Sequence, residues 1–309
     1  MNILFFGTPE FAREMLETLY QEKYNIVAVV SQPDNFVGRK KIFTLTPTHE
    51  FAKDHHIPCL QPEKLKEAVE EVLSYQPDFI LSCAYGQFIP QTILEYPKYG
   101  CLNIHPSLLP KYRGGAPIHH AIMNGEKETA VSLMKMVKKM DAGDIYAQRV
   151  IEIGEDERFY ELNRRLIEVA KKIIREDLPL YFEGKLEAIV QDESQVILGL
   201  NVTKEEEMVH FQREDIVQLY NHIRALYDWP MAYGVIQGKR VKFISCRKEI
   251  VHHSKAVGEV IGLEGKGLKI ACQGGYLIVN ELQPEGKKAM DAKSVMNGLG
   301  RSWVGHCFE

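Results

Sequence analysis

Between residues 99 and 122 the sequence reads YGCLNIHPSLLPKYRGGAPIHHAI. Asn103, Ile104 and His105 close an apolar run with the look of a buried strand, and strand alternation puts Asn103 and His105 on one face and Ile104 on the other. An amide donor beside an imidazole can hold a developing oxyanion and move a proton. A lone histidine is more commonly a satisfied structural residue. An Asn-x-His at a strand end, followed by a loop rich in Pro and Gly, tips the reading towards chemistry. Such an imidazole wants a carboxylate to orient it, and Lys139-Met140-Asp141-Ala142-Gly143-Asp144 offers two. Composition does not choose between Asp141 and Asp144, either of which could be a solvated turn aspartate.

The first strand-to-helix turn, Gly7-Thr8-Pro9-Glu10-Phe11, lacks two of the three glycines of a dinucleotide fingerprint, and Pro9 removes an amide donor. NAD is therefore not expected. The six cysteines are scattered, with no Cys-x-x-Cys pair, so neither a zinc ribbon nor a disulfide framework is expected and the thiols read as reduced cytoplasmic ones. No apolar run is long enough to span a membrane, and residues 1–6 read as a strand with no basic segment ahead of them, so no secretory leader is expected.

The elements that must position these residues follow from hydrophobic period. Strands are expected at 2–6, 26–31, 58–60, 79–84 and 101–105, with helices at 9–22, 47–55 and 63–75 and a polar loop after the second strand. This alternation means parallel βαβ units and a doubly wound, Rossmann-like sheet, whose strand carboxyl ends are where ligands bind. Residues 130–137 and 146–153 should add a hairpin around 138–144, and 158–181 reads as one long helix. A polar stretch at 190–207 reads as a linker. Beyond it come a helix at 214–226 and short strands at 234–236, 241–245, 258–263, 268–271 and 276–282, the rhythm of a small β-barrel. Net charge is −4 overall, but from Met208 onward 14 basic residues face 10 acidic ones (net +4), leaving 24 against 32 (net −8) in residues 1–207. That split permits a basic C-terminal surface facing a polyanion.

Longer stretches settle what spacing leaves open. FFGTPEF at the start, QPDNFVGRKK at 32–41, QPEKL at 61–65, AYGQFIP at 84–90, NIHPSLLPKYRGGAPI at 103–118, MDAGDI at 140–145 and ELQPEGKKAM at 281–290 closely resemble the methionyl-tRNA formyltransferases, a branch of the folate-dependent formyltransferase superfamily, along essentially the whole chain. The resemblance implies a catalytic Rossmann-like domain over 1–189, a linker at 190–207 and an OB-like tRNA-binding domain over 208–309. It implies Asn103, His105 and Asp141 as the catalytic group. It implies folate contacts at Ser107, Leu108, Leu109 and Pro110 and along the backbone of Gln87, Phe88 and Ile89. Arg39, Lys40 and Lys41, with Lys204 in the linker, become candidate tRNA contacts. Of these Arg39 is preferred, because a guanidinium matches phosphate and guanine edges in pairs. Lys239, Arg240, Lys242, Arg247, Lys248, Lys287 and Lys288 are further candidates for phosphates. The implied reaction is formyl transfer from 10-formyltetrahydrofolate to initiator methionyl-tRNA, with no metal and no NAD, by a monomer in the cytoplasm.

Overall fold

The computed structural model describes residues 1–38 and 41–309. The chain forms two compact units, the first made of residues 1–117, 128–152 and 163–200 and the second of residues 118–127, 153–162 and 201–309.

The first unit carries strands β1 (Asn2–Gly7), β2 (Asn25–Val30), β3 (Asn35–Val37), β4 (Ile42–Thr44), β5 (Cys59–Leu60), β6 (Phe79–Cys83), β7 (Cys101–His105), β8 (Glu128–Lys135) and β9 (Ile145–Glu152). Seven of them form one sheet in the order β5-β2-β1-β6-β7-β8-β9. The pairs from β5 to β7 are parallel, and β8 and β9 add antiparallel. Ile3, Leu4, Phe5 and Phe6 are all fully buried, the continuous apolar run of a strand covered on both faces. Each such side chain contributes roughly 1.5–3 kcal/mol by its burial, so the central strands carry the core. The helix Glu10–Gln21 packs on the sheet through Phe11, Ala12, Met15, Leu16 and Leu19, one stripe at helical spacing. Gly7 is a packing residue: a Cβ there would lie 2.6 Å from Ala12 Cβ and 2.9 Å from Cys83 O. Its turn is filled from within, since Thr48 Oγ1 donates to the Gly7 carbonyl.

Three elements differ from the sequence expectation. The loop after β2 contains the β3–β4 hairpin, whose Phe36 and Phe43 rings meet at 5.4 Å and face solvent. The helix expected at 63–75 is a 3-10 turn, Leu65–Glu67, followed by the short helix Val69–Leu73. The helix expected at 158–181 is Phe159–Lys172, a π turn at Ile173–Asp177, and a second helix, Leu178–Phe182. Pro179 explains that break, because it has no N–H and its ring crowds the carbonyl four residues back.

The second unit carries β10 (Tyr233–Ile236), β11 (Lys239–Ile250), β12 (Val260–Glu264), β13 (Gly267–Cys272), β14 (Gly275–Pro284) and β15 (Met290–Asp291). They pair antiparallel in the order β10-β11-β14-β13-β12, with β15 on β14. At 12 residues β11 outruns the expected 241–245; register shifts around Ser245 interrupt its alternation and bend it. Phe211, Phe243, Trp303 and Phe308 sit at the centre of this core. The helix Ile216–Ala225 starts with a capping box between Asp215 and Gln218.

The division of the chain departs from 1–189, 190–207 and 208–309. Residues 118–127 and 153–162 belong to the second unit, and 190–200 belong to the first. Buried Arg224 helps to explain the former: its Nη1 donates to the carbonyls of Gly154 (3.1 Å) and Glu157 (2.5 Å), and its Nε to Asn221 Oδ1. The expected linker is not loose, because Gln191 within it is buried and hydrogen-bonded on both of its amide atoms.

Candidate active site

β6 and β7 are parallel neighbours, with Ser82 paired to Asn103, so the loops that leave their carboxyl ends emerge side by side. β1 lies between β2 and β6, and the chain reverses its direction of progress across the sheet there, the position at which doubly wound sheets open a crevice.

His105 is 4% exposed at the end of β7. Its Nε2 lies 2.9 Å from the carbonyl oxygen of Tyr112. A carbonyl only accepts, so Nε2 carries a proton, and Nδ1 is the nitrogen left to gain or lose one. Nδ1 faces Asp141, with Oδ2 at 3.8 Å. That carboxylate oxygen also accepts from Gly114 N at 2.9 Å. Asp141 has φ +47°, a left-handed conformation that a non-glycine residue keeps only under restraint. Gly143 contributes space: a Cβ there would fall 1.9 Å from Lys135 O, so the loop closes on β8 only with glycine at this position. Asp144 is tied through its main chain, its carbonyl accepting from Lys135 N. The structure thus separates the two aspartates that composition left equal, bringing Asp141 to His105. Asn103 is half-buried on the same strand face, and among the described residues its carboxamide has no hydrogen-bond partner.

The expected folate contacts divide in two. The Ser107 hydroxyl is fully buried and donates to Lys111 O, while the Ser107 carbonyl accepts from Ser132 Oγ. Leu109 packs with Met134 and Ile145 and gives its carbonyl to Gln148 Nε2. Both residues shape the loop from inside, which leaves half-buried Leu108 and Pro110 to face outward. On the neighbouring loop Gln87 is a strut, accepting from Leu65 N and donating to Gln32 Oε1 and Pro62 O, and the Ile89 side chain is in the core. Phe88 is 64% exposed. Among the described residues the main-chain amides and carbonyls of 87–89 make no hydrogen bonds. Unpaired amide edges beside apolar side chains at a sheet's carboxyl edge suit a flat, amide-like heterocycle with several donors and acceptors, and the pterin of a folate fits that description. Among the described residues no group of three or more His, Cys, Asp or Glu is placed to hold a metal ion.

Of the expected tRNA contacts, Arg39 and Lys40 lie outside the described residues. Lys41 is exposed at the end of the hairpin turn with φ +46°. The hairpin's base is fixed by Asp34, which accepts from Thr46 N, Gln61 Nε2 and His49 Nδ1. Those hydrogen bonds outweigh the upward push of burial and hold its carboxyl below the usual range. Lys204 is exposed in a turn of the second unit. Lys248 does not fit the phosphate role given to it: its ammonium pairs with Glu155 and Asp156 and lies 4.4 Å from the Tyr220 ring centre, with the side chain 10% exposed. Arg247 pairs with Glu264, and Lys242 donates to Pro230 O. Lys239 and Arg240 start β11, and main-chain bonding of Glu285 to Arg240 draws the turn that holds exposed Lys287 and Lys288 to the same end of the sheet.

Sequence inspection missed three contributors: the Tyr112 carbonyl, the Gly114 amide and Gln191. Two are main-chain groups without a residue-type signal. Gln191, whose Nε2 donates to the carbonyls of Asp141 and Gly143, stood in a stretch read as linker.

A doubly wound sheet with a facing histidine and aspartate at its carboxyl edge, in a chain that also carries an antiparallel β unit, defines the class. The formyl transferase domain matches residues 1–178 and the formyl transferase C-terminal domain matches residues 201–300. The chain belongs to the formyl transferase family. It is 42% identical over 303 residues to the methionyl-tRNA formyltransferase of Halalkalibacterium halodurans, covering 97% of this chain and 95% of that protein. Among solved structures, HypX from Aquifex aeolicus in complex with tetrahydrofolic acid shares the fold at TM-score 0.67 and 20% identity, over 98% of this chain and 48% of that one. The methionyl-tRNA formyltransferase from Clostridium thermocellum does so at TM-score 0.52 and 20% identity, over 81% of this chain and 94% of that one. Among the described residues no helix is long and apolar enough to cross a membrane.

Proposed function

We propose that this protein transfers the formyl group of 10-formyltetrahydrofolate to the α-amino group of methionine on charged initiator tRNA, giving N-formylmethionyl-tRNA for translation initiation. The observation that carries this reading is the 42% identity to a methionyl-tRNA formyltransferase across both units of the chain. The meeting of Asn103, His105 and Asp141 at one sheet edge supports it.

The uncharged amine attacks the formyl carbon, a C–N bond forms, and the carbonyl oxygen becomes an alkoxide. The Asn103 amide donates to that oxygen, and a protonated His105 adds positive charge beside it. Asp141 faces Nδ1 of that imidazole and helps to set where the ring stands. The bond from the formyl carbon to the folate nitrogen then breaks, and the proton lost by the amine reaches that nitrogen, through His105 Nδ1 or a water. The pterin lies along the main chain of 87–89 and against Leu108 and Pro110.

The tRNA is gripped by 38–41 and by the basic end of the second unit, where Lys239, Arg240, Lys287 and Lys288 gather. The reading places the enzyme in the cytoplasm, where thiols are kept reduced, and takes it to act as a monomer. The test is to supply the purified protein and 10-formyltetrahydrofolate with charged initiator tRNA, uncharged tRNA or an amino-sugar nucleotide. Formylation of the charged tRNA alone is expected. Preference for the amino sugar would overturn the assignment.

A further inference from the structure

Residues 112–114 hold both members of the His105–Asp141 pair by main chain, through Tyr112 O to His105 Nε2 (2.9 Å) and Gly114 N to Asp141 Oδ2 (2.9 Å). Between them Arg113, 1% exposed, sends its side chain to a strap of chain at 189–199. Its Nε and Nη2 donate to Gln191 Oε1 at 3.0 and 2.8 Å, and its Nη1 donates to Glu193 Oε1 at 3.0 Å. Gln191 turns its other amide atom to the opposite loop, Nε2 donating to Asp141 O (2.9 Å) and Gly143 O (2.7 Å). The strap is registered at both ends. Ile189 exchanges two main-chain bonds with Ile145, at 2.8 and 2.9 Å, and Arg113 bonds the strap through its amide to Ile197 O and its carbonyl to Gly199 N.

We propose that Arg113 and Gln191 are positioning residues for formyl transfer, forming a clamp that sets where the Asp141 carboxylate stands relative to His105. This rests on the function proposed above. The two loops that carry the pair meet directly through Gly114 N and Asp141 Oδ2, and a buried amide joins them a second time: its oxygen is consumed by Arg113 and its nitrogen by the Asp141 loop. Asp141 is in a left-handed conformation, which relaxes unless its neighbours hold it. Gln191 grips its carbonyl and Gly114 grips its carboxylate. The separation of 3.8 Å between Asp141 Oδ2 and His105 Nδ1 is longer than a hydrogen bond. That contact therefore does not fix its own geometry, and the distance is imposed from outside, by the Gly114 amide on the carboxylate and by the clamp on the main chain that carries it.

The test is Gln191→Glu in the full-length protein. A carboxylate there still accepts from Arg113 but has no donor for the two carbonyls, so it cuts the clamp on the Asp141 side. Three quantities are read: kcat and KM with both substrates, tetrahydrofolate affinity, and the imidazole NMR signals of His105 without substrate. Expected are a loss in kcat of about 10- to 100-fold, KM and folate affinity within about twofold of the wild type, and displaced His105 signals. Should this variant fail to fold, Gln191→Met, of similar length and uncharged, is measured in its place with the same expectation. Unchanged kcat and unchanged His105 signals would overturn the clamp. So would a kcat loss matched by the fraction of unfolded protein. The imidazole signals need no turnover, so an inactive wild type would refute the proposed function while the clamp is still read.

Discussion

The Asp141 carboxylate stands 3.8 Å from Nδ1 of His105 and takes a shorter hydrogen bond, 2.9 Å, from the amide of Gly114. Charge and position are thus separable at this residue: the hydrogen bond holds the loop, and the charge acts on the imidazole across a gap.

Asp141→Asn tests that separation. The amide oxygen can still accept from Gly114, so the loop should stay in place and the melting temperature should barely change. Loss of the charge should lower kcat with little effect on folate affinity. Asp141→Ala should lower kcat further and destabilise the loop. Equal kcat for Asn and wild type would show that charge at position 141 does not matter.

A second prediction concerns the basic end of the second unit. Replacing Lys287 and Lys288 by Ala should weaken tRNA binding and flatten its salt dependence, each lost phosphate contact removing about 0.7–0.9 from the slope of log affinity against log salt. Lys248→Ala should leave that slope unchanged while costing stability, because its ammonium is already paired with Glu155 and Asp156. Binding measured across a salt series checks both. A slope lowered by the Lys248 change and not by the double change would reverse the assignment.

How far these features were legible in the sequence depends on whether local pattern or distant contact decides them. Asn103 and His105 were legible because strand alternation and a Pro- and Gly-rich loop are local signals. The parallel sheet was legible for the same reason. The choice of Asp141 over Asp144 came from family resemblance, because both are turn aspartates and only tertiary placement of the loop against Gly114 distinguishes them. Gln191 was illegible: its partners are some 50 and 80 residues away, and a polar residue among polar neighbours reads as linker. The recruitment of 118–127 and 153–162 into the second unit was equally hidden, resting in part on a buried arginine that finds backbone carbonyls across the sequence. A truncation near residue 207 would therefore not remove the second unit cleanly, since it takes Arg224 away while Gly154 and Glu157, whose carbonyls it holds, stay behind.

A third prediction follows from His222. Its Nδ1 lies 3.1 Å from Glu214 Oε2 and its Nε2 2.6 Å from Glu206 O, so both nitrogens face acceptors, an arrangement that favours the protonated ring. Burial alone pushes its pKa down; the Glu214 carboxylate and the Glu206 carbonyl outweigh that and raise it above the ordinary 6.5. A raised folded value contributes stability that is fully present below 6.5 and lost as the pH climbs through the folded value. The stability advantage of the wild type over His222→Gln in denaturant titrations should thus be largest at mildly acidic pH and shrink towards alkaline pH. An advantage that grows with pH would contradict the assignment.

The central claim is that Asn103 and His105 act on the reacting formyl group. It is tested most directly by the single-turnover rate of formyl transfer from 10-formyltetrahydrofolate to charged initiator tRNA in wild type, Asn103→Ala and His105→Ala, with tetrahydrofolate and tRNA affinities measured on the same preparations. Losses of about 100- to 1,000-fold in rate for each variant, with both affinities nearly unchanged, are the predicted result. A His105→Ala rate within a few-fold of the wild type would contradict the account.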